Sequence, residues 1–306
     1  MALFKKNKNK IIETKGDRVL QAATTIFLLL ILVIVGYPVI YVLSCSISSS
    51  ESLRGGRIYF LPMDPTLAGY KFVFNYKAVW VGYRNTIFYT VFGVIITMFM
   101  QIVAAYPLSR PNYQGRNMLM KIFFLTTMFG AGLIPTYMVK SSLGMVNTVW
   151  AVLLASVVGV SDVIILRTAF RSSIPGELYD AAAIDGASDV QTMVQIALPL
   201  VKATLSVLVL YSAVGCWNDY FNAMIYLRNE GFYPLQLFLR TILTGAQQIK
   251  NDSASGGGSV AMQQAAEGAE QIQFAMIVVA TVPVLIFYFI VQKYFEKGVM
   301  VGSVKG

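Results

Sequence analysis

Histidine is absent from this 306-residue chain, and only two cysteines, Cys45 and Cys216, occur in it. The absence of histidine removes the commonest general base and metal ligand. The two cysteines lie far apart in apolar surroundings, so they predict neither a disulfide framework nor a metal site. Charge is scarce as well, since 13% of the residues are charged, whereas soluble domains average about 25%. These shortages argue against a soluble domain and favour a protein that lies in the bilayer.

Hydrophobic residues make up 56% of the chain, and they are concentrated in six apolar stretches. A helix needs about 20 residues, at about 1.5 Å each, to cross a bilayer. Backbone groups in lipid must be hydrogen-bonded internally, so the stretches predict an all-α integral membrane protein with six transmembrane helices. The third and fourth are short, and Pro135 is expected to bend or end the third. The predicted spans are Ala22–Ser44, Asn85–Tyr106, Ile122–Val139, Val149–Leu166, Ala203–Leu227 and Phe274–Gln292.

Basic residues predict the orientation, because cytoplasmic loops of membrane proteins are enriched in Lys and Arg. The net charge of +9 is concentrated beside the apolar stretches, a pattern typical of membrane topology and not of a nucleic-acid-binding face. With the N-terminus in the cytoplasm, an even number of crossings puts the C-terminus there too. The basic clusters that then face the cytoplasm are Lys5/Lys6/Lys8/Lys10/Lys15/Arg18, Arg110/Arg116/Lys121, Arg167/Arg171/Lys202 and Lys293/Lys297/Lys305.

The predicted organisation is one transmembrane domain over residues 22–292, between cytoplasmic tails at 1–21 and 293–306. A cytoplasmic loop is predicted at 171–199 and an extracytoplasmic loop at 228–272. The outer loop contains the low-complexity run 253–259, whose composition indicates a flexible linker. An alternative for the N-terminus is a lipoprotein signal peptide that ends at Cys45. The apolar run of about 23 residues exceeds the 7–15 of a signal core, which favours a membrane anchor.

The loop at 171–199 predicts a helix, a turn and a second helix. Pro175 suits the first turn of a helix, and Glu177 and Asp180 near that start complement the helix dipole. Gly186 is predicted to end the first helix in the left-handed conformation. The helix contains three consecutive alanines, Ala181, Ala182 and Ala183. Their side chains are small, so another protein could approach the helix closely.

The second helix of the loop has its own predicted limits. Ser188 and Gln191 form the sequence pattern of a capping box, and Pro199 is expected to stop the helix. The first helix has no evident segment of its own chain to bury against. We therefore expect a partner protein to bind it, with an ordinary helical connector as the alternative.

This loop resembles the EAA loop of binding-protein-dependent ABC permeases. The family pattern is Glu-Ala-Ala, two residues, Asp-Gly-Ala, and later Ile-x-Leu-Pro. Here it reads Asp180-Ala181-Ala182, Asp185-Gly186-Ala187 and Ile196-Ala197-Leu198-Pro199. Two residues depart from it, because Asp180 replaces the usual Glu and Ala203 stands where many members have a second Pro.

The resemblance covers nearly the whole chain. It implies the type I ABC importer permease fold in a bacterial cell membrane, in a carbohydrate-uptake branch of LplC type similar to the smaller permease of the maltose importer. The further matching motifs are Tyr106–Arg110, Gly132–Tyr137, Trp217-Asn218-x-x-Phe221-Asn222-Ala223 and the C-terminal Lys297-Gly298-x-x-x-Gly302-x-Val304-Lys305-Gly306. In that family the EAA loop is the coupling helix that docks in a groove of the ATPase. The coupling residues that the resemblance implies are Glu177, Asp180, Ala181, Ala182, Ala183, Asp185, Gly186, Ala187, Ile196, Leu198 and Pro199.

The resemblance also implies the partners. These are a second homologous permease, two ATPase subunits, an extracytoplasmic solute-binding protein, membrane lipid and a carbohydrate substrate, in this branch an oligosaccharide. In maltose-type relatives the loop equivalent to 228–272 reaches into the binding protein, which suggests a similar role here. Phosphate binding by an ATPase needs Gly-x-x-x-x-Gly-Lys-Ser/Thr, and no Gly-Lys pair occurs in the chain. We therefore expect no enzymatic activity, no cofactor or metal, and ATP hydrolysis in a separate subunit.

Acidic residues inside a span are candidates for the substrate pathway, because each costs about 2.5–3.5 kcal/mol to insert. Asp219 lies in the fifth span beside Trp217, Asn218 and Asn222, and on a helix residues 218 and 222 share a face. Sugars offer hydroxyls for hydrogen bonds and C–H faces for aromatic rings, so these side chains suit a pathway wall. Asp162 in the fourth span is a second candidate. The alternative is that they anchor the span at the interface or pair helices.

Other functions stay open at this point. The same machinery could carry an amino acid, phosphate or a polyamine. A secondary transporter driven by an ion gradient would show inverted repeats and midplane acidic sites, and it would leave the EAA loop unexplained. A membrane-embedded enzyme is the least favoured reading, because no catalytic constellation is present.

Overall fold

The computed structural model describes residues 14–155, 157–254 and 260–303, and every regular element in that part of the chain is helical. The first helix begins with a capping box, in which the Thr14 hydroxyl accepts the Asp17 N–H at 3.2 Å and the Asp17 carboxylate accepts the Thr14 N–H at 2.9 Å. The helices are α1 Lys15–Ser46, α2 Ser50–Arg54, α3 Ala68–Asn75, α4 Lys77–Ser109, α5 Arg116–Met128, α6 Leu133–Ser142, α7 Val149–Leu153, α8 Val160–Ser173, α9 Gly176–Ile184, α10 Asp189–Leu200, α11 Lys202–Asn218, α12 Phe221–Tyr226, α13 Leu235–Ala254 and α14 Val260–Ser303, with a 3-10 turn at Glu230–Phe232.

Three helical segments are long and apolar enough to cross a membrane: α1, α4 and the Glu270–Ile290 part of α14. The first and second predicted spans lie within α1 and α4, and the sixth lies within α14. Two further pairs pass the same test only if each bent pair is one span. These are α5 with α6, bent by 116°, and α10 with α11, bent by 84°. The described residues therefore contain three candidate spans, or up to five.

The third predicted span does bend, but not at its proline. The break lies between Met128 and Leu133, and Gly132 there has φ +78°, a conformation that only glycine adopts readily. Pro135 is the third residue of α6. In the first turn of a helix its missing N–H costs little, because that N–H has no intrahelical acceptor.

The fourth and fifth predicted spans are wrong as continuous helices. Within Val149–Leu166, α7 ends at Leu153 and α8 begins at Val160. Within Ala203–Leu227, α11 ends at Asn218, and Asp219 leaves the helix with φ −76° and ψ 81°. The Asp219 carboxylate accepts the Asn222 N–H instead, and such local side-chain bonds compete with helix continuation.

The segment of the predicted outer loop, 228–272, is largely helical in its described part. α13 covers Leu235–Ala254 and α14 begins at Val260. The physical reason is an apolar stripe at helical spacing, since Leu235, Phe238, Leu239 and Ile242 all pack in one core cluster. Of the run 253–259, the first two residues end α13 and residues 255–259 lie outside the described chain.

α4 lies at the centre of the fold, where it packs against α8, α11 and α13. One core cluster joins α4 to α8, α10 and α11 through Tyr106, Phe170 and Leu208. A second joins α4 to α11, α13 and α14, and Trp217 is one of its buried residues. α1 differs, because its apolar side chains are mostly exposed in the single chain. An apolar helix without a protein neighbour over most of its length fits lipid or a partner subunit.

Candidate functional site

The helix with the EAA pattern, α9, has the ends that its sequence predicts. Pro175 is its N-cap and Glu177 lies in its first turn, where a carboxylate complements the helix dipole. At the other end Gly186 has φ +71°. The Ala187 N–H donates to the Ala182 carbonyl at 2.9 Å, and the Gly186 N–H donates to the Ala183 carbonyl at 3.1 Å. This pair of bonds is a Schellman motif, so the predicted left-handed cap is present.

The second helix of the loop, α10, begins as predicted and ends differently. The Ser188 hydroxyl accepts the Gln191 N–H at 3.2 Å, and the Gln191 side chain accepts the Ser188 N–H at 2.8 Å, which is a full capping box. Pro199 does not stop the helix, because α10 runs to Leu200 and the 84° bend follows it. A π-helical segment at Thr192–Ala197 precedes the proline. Its wider turn accommodates Pro199, which has no backbone N–H to donate to the preceding turn.

The three alanines of α9 are not equivalent. Ala182 is 5% exposed and packs into its own chain, whereas Ala181 and Ala183 are exposed. The expectation that α9 has nothing in its own chain to bury against is therefore wrong for the face that holds Ala182. The outward face ends in Ile184, which is 87% exposed. Sequence reasoning did not single out this residue, although an isoleucine before Asp-Gly in a cytoplasmic loop is a usable signal.

An arginine connects α9 to the end of α4. The Arg110 guanidinium lies 3.7 Å from the centre of the Tyr179 ring, a cation–π contact. Burial raises the pKa of the Tyr179 phenol, against a lowering effect of Arg110. On the neighbouring helix α8, Arg167 Nε donates to the Leu108 carbonyl at 2.9 Å. The first contact joins α9 to the end of α4, and the second joins α8 to α4.

The substrate-pathway candidates divide into two groups. Asp162, Asp219 and Asn222 line one cavity of about 350 Å³, whereas Trp217 and Asn218 do not. Trp217 is buried, and its Nε1 donates to the Ala280 carbonyl at 3.1 Å, so it packs α11 against α14. The remaining described residues that line this cavity are Thr97, Val152, Leu153, Ala155, Gly159, Tyr211, Ser212, Gly215 and Cys216.

Asp162 enters the cavity from the first turn of α8. Its Oδ2 accepts a hydrogen bond of 2.9 Å from Gln101 Nε2, and Gln101 is fully buried in α4. The carboxylate also lies close over Gly159, where an added Cβ would be 2.6 Å from Oδ2. The Gln101 Oε1 atom has no hydrogen-bond partner among the described residues. The pair thus joins α4 to α8 at the cavity wall.

Asp219 lies at the break between α11 and α12. Its Oδ1 accepts the backbone N–H of Asn222 at 3.1 Å, and both carboxylate oxygens lie within 3.0 Å of Asn222 Nδ2. The expectation that residues 218 and 222 share one helix face is wrong, because the helix ends between them. Asn218 is exposed and accepts a 3.2 Å bond from Gln236.

Tyr211 is a cavity residue that sequence reasoning missed. It lines the cavity, and its side chain is 65% exposed in the single chain. The signal was present, because Tyr211 and Gly215 lie four residues apart on one face of α11, and Asp219 follows four residues later at the C-terminal end of that helix. Ser212 and Cys216 form the adjacent row of the same helix.

No group of three or more His, Cys, Asp or Glu side chains that could hold a metal ion occurs within the described part of the chain. The two cysteines are free. The polar groups of the cavity lining are hydroxyls, a thiol, an amide and two carboxylates, and Tyr211 adds one aromatic ring. Groups of this kind can bind a polar solute.

Apolar helices in the described part of the chain, an exposed EAA helix and a cavity that contains two carboxylates are the features of an importer permease. Residues 15–301 match the model of the family "Binding-protein-dependent transport system inner membrane component", and the chain belongs to this family. Its fold is the type I ABC permease fold. The match includes α1.

Two relatives and one solved structure show which transporters this chain resembles. Protein LplC of Bacillus subtilis is 35% identical over 96% of this chain and 97% of its own length. The polygalacturonan/rhamnogalacturonan transport system permease protein YtcP of the same organism is 35% identical over 92% of this chain and 96% of its own. A chain from the crystal structure of a bacterial ABC transporter that imports the acidic polysaccharide alginate superposes with a TM-score of 0.80 at 32% identity, over 92% of this chain and 99% of that chain.

Proposed function

We propose that this chain is the permease subunit of an ATP-driven, binding-protein-dependent importer of oligosaccharide, and that it forms half of the translocation pathway. Family membership supports the importer, and the polysaccharide and oligosaccharide transporters among the relatives support the substrate. The observation that carries the proposal is the presence, in one chain, of a cavity with two carboxylates between α4, α8 and α11 and of the largely exposed helix α9, which the Arg110–Tyr179 contact joins to α4.

The cavity suits a sugar by its chemistry. Asp162 and Asp219 can accept hydrogen bonds from sugar hydroxyls, and Asn222 can both accept and donate. Tyr211 offers an exposed ring on which the C–H face of a sugar can lie. Phosphate or another anion would meet two carboxylates in this half of the pathway, which disfavours it. The residues that we assign to the pathway are Asp162, Asp219, Asn222 and Tyr211.

We propose that the chain crosses the membrane six times, with both termini in the cytoplasm. The bent pairs α5–α6 and α10–α11 would each serve as one crossing, and α7 with α8 would supply the remaining one. The basic clusters at Arg110/Arg116/Lys121 and Arg167/Arg171/Lys202 then lie inside, as the distribution of Lys and Arg requires. The transmembrane domain would cover residues 22–292, between tails at 1–21 and 293–306, with the EAA loop at 171–199 in the cytoplasm and the segment 228–272 outside.

The proposed coupling works through the outward face of α9. Ala181, Ala183 and Ile184 would dock in a groove of an ATPase subunit, while Gly186 and the Ser188–Gln191 box hold the helix ends in place. Glu177, Asp180 and Asp185 add negative charge around the contact. The residues Ile196, Leu198 and Pro199 belong to α10, whose bend would pass the displacement to α11. ATP is bound and hydrolysed in the ATPase and not in this chain.

The assembly would contain a second homologous permease, two ATPase subunits and an extracytoplasmic solute-binding protein. The binding protein is supported by a structure of the bacterial alginate ABC transporter in complex with an alginate pentasaccharide-bound periplasmic protein, which shares the fold at a TM-score of 0.63. ATP binding would close the ATPase dimer, move α9 and open the cavity outward to receive the sugar. ATP hydrolysis would then close the cavity on the outside and open it toward the cytoplasm.

Reconstitution of the purified complex in liposomes tests this proposal. Uptake of labelled oligosaccharide should require the binding protein and ATP on the ATPase side, and it should stop when the ATPase cannot hydrolyse. Uptake that continues without ATP and follows an ion gradient would favour a secondary transporter. Uptake of an amino acid, phosphate or a polyamine with no uptake of sugar would support an ATP-driven importer and refute oligosaccharide as its substrate.

A further inference from the structure

The charges around the cavity bear on which sugars it accepts, a question that rests on the proposed function. Of the described residues that line the cavity, two are acidic, Asp162 and Asp219, and none is Lys or Arg. The remaining polar side chains of the lining carry hydroxyl, thiol or amide groups, which are neutral. Among the described lining residues, the side chains with a formal charge are therefore both acidic.

Neutral amides, not cations, hold both carboxylates. Gln101 Nε2 donates to Asp162 at 2.9 Å, and Asn222 Nδ2 donates to the Asp219 oxygens at 2.9 and 3.0 Å. An amide satisfies the hydrogen bonds of an ionised carboxylate without cancelling its charge. Among the described residues, no Arg or Lys side chain is hydrogen-bonded to either carboxylate.

Lys140 is the positive charge that interacts with Asp219, but its ammonium is already engaged. Its Nζ donates to the Ala151 carbonyl at 3.0 Å and lies 4.0 Å from the centre of the Tyr226 ring. The side chain is buried. Lys140 is not among the described residues that line the cavity, so its ammonium does not face a sugar carboxylate there.

We infer that this cavity selects uncharged oligosaccharides and discriminates against chains of uronic acids. A neutral sugar can donate its hydroxyls to Asp162 and Asp219, whereas a sugar carboxylate cannot donate and is repelled by both. Rejection by an unfavourable charge is an effective route to specificity. The inference sets this chain apart from relatives whose names state acidic polysaccharides, such as polygalacturonan or alginate.

Paired substrates test the inference in the complete complex. An uncharged oligosaccharide and the same oligosaccharide oxidised to one terminal carboxylate differ by a single charge at equal length. Uptake into liposomes is measured for both, with the binding protein saturated by each sugar and its occupancy determined separately. We expect the acidic form to enter at least about tenfold more slowly per occupied binding protein, which corresponds to about 1.4 kcal/mol.

Variants of this chain test whether Asp162 and Asp219 cause the difference in uptake between the two sugars. Asp162→Asn with Asp219→Asn removes both charges and keeps the size of each side chain, so the ratio of acidic to neutral uptake should rise by about the same tenfold. Glu51→Gln neutralises an exposed carboxylate that does not line the cavity, and it should leave the ratio unchanged.

Three results distinguish failure of this inference from failure of the proposed function. Equal or faster uptake of the acidic sugar by the unaltered complex overturns the inference. A preference for the neutral sugar that persists in the double variant also overturns it, because the selection would then come from another subunit. Uptake of neither sugar, in a complex that hydrolyses ATP and imports another solute, contradicts the proposed function itself.

Discussion

Ile184 provides the most quantitative test of how α9 works. Its side chain is 87% exposed in the single chain, so Ile184→Ala removes no contact that stabilises this chain. Full burial of an Ile side chain in a groove contributes about 1.5–3 kcal/mol. Loss of that contribution weakens association with the ATPase by a factor of about 10 to 150, at about 1.4 kcal/mol per tenfold.

The assay is titration of purified ATPase against the permease pair in nanodiscs, with binding followed by fluorescence. The thermal unfolding of the permease is measured in parallel and should not change. Leu61→Ala is the matched control, because Leu61 is a similarly exposed apolar residue that the proposed topology puts on the opposite side of the membrane. An unchanged ATPase affinity for Ile184→Ala, or an equal loss for Leu61→Ala, would refute docking through the outward face of α9.

Three further predictions concern the parts that hold the site in place. Gly186→Ala forces a side chain into φ +71° and should cost about 1–2 kcal/mol, seen as a lower midpoint of thermal unfolding, while Gly176→Ala, at a helical position with open space around it, should be tolerated; equal effects would contradict the cap. Asp219→Ala removes the bonds to the Asn222 backbone and should cost about 1 kcal/mol together with a loss of uptake, and full uptake would remove Asp219 from the pathway. Arg110→Gln abolishes the contact with the Tyr179 ring, worth about 0.5–2 kcal/mol, and should uncouple ATP hydrolysis from uptake; tight coupling in that variant would show that the contact does not transmit motion.

Local features of the coupling loop could be predicted because neighbouring residues determine them. The left-handed Gly186 and the Ser188–Gln191 capping box depend on side chains within a few positions of the backbone groups they satisfy. The inward face of α9 could not be predicted in this way. Ala181, Ala182 and Ala183 are identical in type, and only packing against the rest of the chain decides which of them is buried.

The breaks in the predicted spans mark the other limit of sequence reasoning. Hydropathy records how apolar a stretch is, and it is nearly blind to a single residue whose side chain captures a backbone N–H, as Asp219 does for Asn222. The same limit applies to the cavity. Asp162 and Asp219 are separate candidates in the sequence, and their position around one cavity depends on how α8 and α11 pack against α4.

Site-directed crosslinking from Ala183 tests the central claim most directly. Ala183 is exposed on α9, and Ala183→Cys in a chain whose Cys45 and Cys216 are replaced gives one reactive thiol for a short photoactivatable crosslinker. In native membranes the partner, identified by mass spectrometry, should be the ATPase subunit, with a yield that changes when ATP is added. A crosslink that forms only with lipid, or an ATPase that never reacts from this position, would contradict coupling through α9.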